Sequence, residues 1–215
     1  MPLHFHAGEL LNLSAAAATR CREQSAGGAE IADDALAALL LACAAAEASI
    51  NEFSAQVLVD ASRPWDYVAP ILKAAAQAVQ RVEAEGGSIV DKYKAAGKAL
   101  SPGWIGAGKR PLQDLVLLTA ARNRVVHLRT EARDKANEMA EKVRSAAGVS
   151  SSPGLMDRMP WLNRLMVPEV AEWAVRTSAA SMLEVLELVS ADRDEMPASL
   201  RFPYDHLCRH AGRKA

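Results

Sequence analysis

The sequence predicts an all-α fold, an antiparallel helical bundle with an extra C-terminal helix and a basic tail. Half of the 215 residues are apolar and only 5% are aromatic. Alanine, leucine, glutamate, arginine and lysine dominate, and these side chains lose little rotamer freedom in a helix. Apolar residues also recur at steps of three and four rather than in alternation, so no segment is typical of a strand.

Two helices are predicted in the first part of the chain. The first runs from Glu30 to about Leu58, and its acidic residues Asp33 and Asp34 suit the positive end of the helix dipole. The second covers about 68–84 and is stopped by the glycine pair in 85–87.

Three more helices are predicted further along the chain. Ser88 is a candidate N-cap for a short helix that reaches Lys98. Pro111 fits the first turn of a long helix that continues past Arg144. The last helix covers about 168–189, where apolar residues mark one buried side.

These elements divide the chain into an N-terminal extension (1–29), one helical domain (30–190) and a C-terminal tail (191–215). Within the domain, 148–167 combines a Ser/Pro/Gly linker with several methionines and a tryptophan. Such residues either cover the bundle's own core, the interpretation that we favour, or form a partner surface. The tail is basic and is either an RNA-binding arm or a solvated, frayed end, of which the second is commoner.

The bulk properties exclude several classes of protein. With 25 basic and 26 acidic residues, any contact with RNA has to come from a local patch. Cys21, Cys43 and Cys208 form no CxxC pair, which argues against a disulfide framework or zinc site and suits the cytoplasm. The apolar run 35–46 is too short to span a membrane. The glycine-rich connection 101–108 lacks the GK[ST] motif of a phosphate loop, so we predict a flexible turn without a cofactor.

The candidate catalytic residues are Arg122, Asn123 and His127, in the helix that follows Pro111. Asn123 and His127 are four residues apart and therefore lie on the same side of that helix. Arg122 and His127 are separated by about 140° around an ideal helix, so one helix does not aim both at one point. Either the long arginine wraps around the helix, or two copies of the chain share the residues across a two-fold axis.

These residue types suit the cleavage of RNA without a metal ion. A histidine can take the proton from a ribose 2′-hydroxyl near neutral pH. A guanidinium can stabilise the charge that develops on the phosphate. An asparagine can hold either group without competing for the proton. By itself, an arginine five residues before a histidine is a weak signal, because a solvated helix face produces the same pattern.

The chain resembles the HEPN superfamily in three stretches. HEPN domains are all-α, and their hallmark is Arg, a polar residue, three to five others and then His, which residues 122–127 match after the apolar lead-in 115–121. Residues 39–53 are similar to the family's early helix, which often contains Ala-x-x-Glu-Ala-x-Ile-Asn. Residues 89–94 are similar to the helix between the two. The likeness covers about 30–145.

Three more residues are candidates for this site. Glu47 lies on the apolar stripe of its helix, where a carboxylate needs a partner or water. Family members often have an acidic residue beside the Arg/His pair, so Glu47 is expected to orient Arg122 or His127. A structural salt bridge with another arginine is the alternative. Arg124 and Arg129 are candidate RNA contacts, although ordinary charges paired with nearby acidic residues explain them equally well.

The resemblance implies a homodimeric, metal-independent endoribonuclease that acts as a toxin or in defence against phage. It also implies a 2′,3′-cyclic phosphate on the product. The alternative is a non-catalytic HEPN module that binds a nucleotide or a partner protein, which the near-neutral net charge and the Met/Trp segment suit better. A toxin held silent by an antitoxin or another regulatory protein is a third, weaker possibility.

Overall fold

The computed structural model describes residues 6–28, 31–63, 68–127, 133–149, 160–190 and 198–212. Within these ranges the chain is an all-α helical bundle without a strand, which confirms the predicted fold class. Its eight helices are α1 (His6–Ala26), α2 (Asp34–Ala61), α3 (Pro70–Ala84), α4 (Ile89–Leu100), α5 (Leu112–Val126), α6 (Arg133–Ala147), α7 (Pro168–Val189) and α8 (Ala198–Ala211).

Helix α2 lies at the centre of the bundle and packs against α1, α3 and α7. Small residues line these contacts, and two serine hydroxyls cross them. Ser14 of α1 donates a 2.7 Å hydrogen bond to the carbonyl of Ala38, and Ser178 of α7 donates one of 2.6 Å to the carbonyl of Ala42. Because both hydroxyls are fully buried, each needs such a partner.

Helix α2 is also long and apolar enough to cross a membrane, with a mean hydropathy of 1.5 over its most apolar window. In the bundle, however, one side of the helix is buried in the hydrophobic core, including Leu39, Cys43 and Ile50. A core helix of a soluble protein passes the same test of length and composition, so the structure is compatible with a soluble bundle.

Helices α3 and α4 form a closed hairpin on one side of α2. Ser88 caps α4 as predicted: its side chain accepts from the amide of Asp91, whose carboxylate accepts from the amide of Ser88. Lys92 is 2% exposed; it pairs with Glu83 of α3 and donates a 3.0 Å hydrogen bond to Asn51 of α2. The hairpin is therefore fastened to the centre of the bundle.

The long helix predicted from Pro111 past Arg144 is wrong. Helix α5 ends at Val126, and α6 begins at Arg133 and packs back against α5. The physical reason is burial. The buried residues Leu115, Leu118 and Ala121 of α5 and Ala140 and Val143 of α6 share one core, and a straight helix would carry α6 away from it.

Residues near both ends of the described chain are part of the same hydrophobic core as the helices in 30–190. Leu11 and Cys21 of α1 and Leu207 and Cys208 of α8 are part of the hydrophobic core. Residues 198–211 thus form a docked helix rather than a frayed, solvated end, because one side of the helix is apolar. Between α6 and α7, Leu165 and Met166 are also buried, so the described end of the Met/Trp segment covers the bundle's own core.

The glycine-rich connection 101–108 packs around Trp104 rather than forming a flexible turn. The indole of Trp104 donates a 2.8 Å hydrogen bond to Glu184 of α7. Gly97 and Gly106 lie against this ring so closely that a Cβ atom on either would overlap it. The glycines are needed here for close packing.

Candidate functional site

The predicted catalytic residues lie where α5 ends. His127 is the C-terminal cap of the helix, and its amide donates a 2.9 Å hydrogen bond to the carbonyl of Asn123. The side chains of Asn123 and His127 are exposed, whereas Arg122 and Arg124 are partly buried. The carbonyl groups of the last turn form the negative end of the helix dipole, and both arginines oppose that charge.

A cavity of about 250 Å³ opens at this end of the helix. Ala120, Asn123, Arg124 and His127 line it. The histidine, an amide and a guanidinium therefore reach one surface recess, as expected for residues three and four apart on a helix. Arg122 does not line this cavity.

Arg122 of α5 acts electrostatically on Cys43 of α2. Burial raises the pKa of the Cys43 thiol of α2, while the charge of Arg122 lowers it and that of Glu47 raises it. The charges of Arg122 and Glu47 therefore act on the same sulfur atom in opposite directions. The link from Arg122 to the cavity runs through Asn123, whose side-chain oxygen accepts a 2.9 Å hydrogen bond from the guanidinium.

Glu47 thus shares with Arg122 an electrostatic effect on Cys43, whereas His127 lines the cavity. Glu47 is partly buried, in agreement with its place on the apolar stripe. Among the described residues, no ion pair within 4.0 Å joins Glu47 to Arg122, to His127 or to Arg81. Its expected role in orienting the site stays a prediction.

Of the two candidate RNA-binding arginines, Arg124 lines the cavity. Arg129 lies outside the described residues. The two other stretches that carry the resemblance do meet in the structure. The hydroxyl of Tyr93 on α4 is buried and donates a 2.9 Å hydrogen bond to the carbonyl of Ala46 on α2.

A groove between α5 and α6 adjoins the site and was missed in the sequence. It encloses about 400 Å³ and is lined by eight residues: Gln113, Val116, Leu117, Ala120, Lys135, Glu138, Met139 and Lys142. Ala120 also lines the cavity at His127, so the two spaces adjoin. If α5 and α6 formed one continuous helix, Lys135 would lie beyond His127 along the axis and away from the start of α5. Only the return of α6 places it beside α5, and neither proline nor glycine marks that break in 127–132.

Within the described ranges, no three His, Cys, Asp or Glu side chains are grouped so that they could hold a metal ion. No protein-family model, curated protein or solved structure matches this chain significantly. The functional assignment therefore depends on the residues at the end of α5.

Proposed function

We propose that this protein is a metal-independent endoribonuclease of the HEPN type. The observation that carries the proposal is the cavity at the end of α5, where exposed His127 lies beside Asn123 and Arg124. It combines a group that moves a proton near neutral pH with donors for a phosphate.

In the proposed reaction, His127 takes the proton of a ribose 2′-hydroxyl. The 2′-oxygen forms a new bond to the adjacent phosphorus, and the bond from phosphorus to the 5′-oxygen breaks. The departing 5′-oxygen takes a proton from solvent, which reaches this exposed edge. The products are a 2′,3′-cyclic phosphate and a 5′-hydroxyl. A guanidinium stabilises the charge on the phosphate oxygens as they become crowded around phosphorus.

We further propose that two copies of the chain build each cleft, with Arg122 of one copy acting beside His127 of the other. Within one chain Arg122 does not itself line the cavity that contains His127, and it reaches that cavity only through its hydrogen bond to Asn123. Val126, four residues after Arg122, is 50% exposed, and it offers an apolar contact for a second copy on the side of α5 that carries Arg122. A two-fold axis through this side of α5 brings both types of residue to each cleft.

The test is to incubate the purified protein with total RNA, with and without EDTA, and to map the fragment ends. Wild type is expected to cut in both conditions and to leave cyclic phosphate ends. His127→Ala and Arg122→Ala are each expected to reduce cleavage by about 10²–10⁴-fold. Their matched controls are His6→Ala and Arg81→Ala, which remove an exposed histidine and an exposed arginine elsewhere.

Circular dichroism of all four variants is expected to stay helical, because the altered side chains lie outside the core. Uncut RNA with wild type, or equal activity of His127→Ala and His6→Ala, would contradict the proposal. A role as a toxin or defence effector, with an antitoxin or regulator as partner, is proposed on the same site. A stable co-purifying partner with no cleavage by either protein would instead favour the binding module.

A further inference from the structure

The groove between α5 and α6 differs from the rest of the surface in what lines it. Its floor is apolar, formed by Val116, Leu117 and Met139, and Val116 is 46% exposed. Two exposed lysines of α6, Lys135 and Lys142, stand on its rim. Because they are seven residues apart, they lie on the same face of α6, about 10 Å from each other along its axis.

The charge of this rim is predominantly positive. Its acidic residue, Glu138, lies between the two lysines and accepts a 2.7 Å hydrogen bond from Lys142. That bond and the charges of Lys142 and Lys135 lower the pKa of the Glu138 carboxyl. Both partners of the ion pair are more than 60% exposed, and such pairs contribute little stability. Lys142 can therefore exchange the Glu138 carboxylate for a phosphate at a low cost in free energy.

We infer that this groove is the path of a single-stranded RNA, which Lys135 and Lys142 hold by its phosphates and which leads into the cavity at His127. The inference rests on the proposed function, and it adds where the strand lies and which residues hold it. Charge complementarity favours a nucleic acid as occupant, and continuity of the groove with the His127 cavity through Ala120 favours the substrate of that site.

The apolar side chains on the groove floor, exposed Val116 with partly buried Leu117 and Met139, suit contact with bases of any kind. They offer no directional hydrogen bonds, so they do not read a sequence. Phosphate contacts are likewise independent of sequence, and each one releases counterions. The groove therefore predicts affinity for single strands that depends strongly on salt and weakly on base sequence.

The test uses His127→Ala as background, so that bound RNA stays intact, and measures the anisotropy of a fluorescein-labelled single strand of mixed sequence at several salt concentrations. Adding Lys135→Ala and Lys142→Ala together is expected to weaken binding roughly tenfold. The slope of log affinity against log salt should fall in magnitude by about 0.7 for each lysine. The matched control adds Lys73→Ala and Lys98→Ala, two exposed lysines of α3 and α4, and should leave affinity and slope unchanged.

Equal affinity and slope in the groove and control variants would overturn the inference. If the groove variant instead changed the fraction of dimer in sedimentation, a second copy would be the occupant of the groove. The two proposals fail separately. RNA left uncut by wild type but bound through the lysines would refute the ribonuclease alone. The path alone would be refuted if Lys135→Ala with Lys142→Ala, in a chain that keeps His127, cut RNA normally and the same pair in the His127→Ala background bound RNA with unchanged slope.

Discussion

Two helical hairpins, α3 with α4 and α5 with α6, belong to the bundle around α2, and they differ in what lies between their helices. Between α3 and α4 lie buried residues such as Val79 and Val90, and Lys92 closes the contact by pairing with Glu83. Between α5 and α6 a groove of about 400 Å³ stays open, with Val116 exposed at its floor.

The closed hairpin serves the stability of the fold, and the open hairpin serves the proposed function. The closed hairpin contains buried, mutually bonded side chains, whose removal costs free energy of unfolding. The open hairpin keeps lysines, an asparagine and a histidine at the surface, where they contribute little to stability and are available to a ligand. Substitutions in the first should therefore change folding, and substitutions in the second should change binding and cleavage.

The largest stability difference is expected between Tyr93→Ala and Val116→Ala. Tyr93 of α4 is 1% exposed and its hydroxyl is bonded to Ala46, so its loss should cost about 3–5 kcal/mol in the free energy of unfolding. Val116 lies on the open side of α5, and its truncation should change stability by no more than about 0.5 kcal/mol. Urea unfolding measures both, and equal losses would remove the distinction between the hairpins.

A smaller loss of stability is expected for Gly97→Ala in α4, although helix propensity alone would predict a gain. Propensity alone would favour alanine by about 1 kcal/mol. The added methyl group, however, would meet the Trp104 ring, and the overpacking should give a net loss of about 1–3 kcal/mol. Gly103→Ala is the control, because a Cβ atom there meets nothing within 4 Å. A stabilised Gly97→Ala variant in thermal unfolding would contradict this packing.

In the open hairpin, Asn123→Ala should affect activity rather than stability. It removes the acceptor of the 2.9 Å hydrogen bond from Arg122, and one such bond to a charged group corresponds to about tenfold in cleavage rate. Initial rates on a labelled RNA measure the change, and the midpoint of urea unfolding should stay that of wild type. An unfolding midpoint that fell together with the rate would assign Asn123 a structural role instead.

The smallest effect is expected in the pH dependence of stability that the histidines of helix α8 cause. Burial lowers the pKa of His206 and His210, and the charge of Arg209 lowers both further. The unfolded chain therefore binds more protons than the folded one, and stability should fall as the pH drops below about 6.5, the ordinary pKa of histidine. His210→Gln should show a shallower loss than wild type in urea unfolding between neutral and mildly acidic pH. Identical pH slopes would exclude this contribution.

The sequence predicted those elements whose ends carry a local signal. Helix α7 spans Pro168–Val189 as predicted, because a proline marks its first turn and an apolar stripe runs to its end. Ser88 caps α4 for the same kind of local reason. At the site, the spacing predicted that Arg122 and His127 lie on different sides of the helix, and Arg122 does not line the cavity that contains His127.

Other features depend on contacts between distant segments, which no local pattern reveals. The chain turns back after Val126 without a proline or glycine, and it does so because α6 completes the core beside α7. Helix α8 forms although Pro203 lies inside it and its sequence is rich in basic residues. The groove could not be predicted from the sequence for the same reason, because Lys135 lies beside α5 only after α6 has turned back along it.

In the proposed dimer, one cleft takes Arg122 and His127 from two different copies of the chain. Mixing inactive Arg122→Ala and His127→Ala proteins under conditions that exchange subunits tests it most directly. With random exchange, half of the dimers are mixed and each has one intact cleft, so cleavage should recover to roughly a quarter of the wild-type rate. If the mixture stays as inactive as either variant while sedimentation shows that mixed dimers have formed, the shared cleft is contradicted.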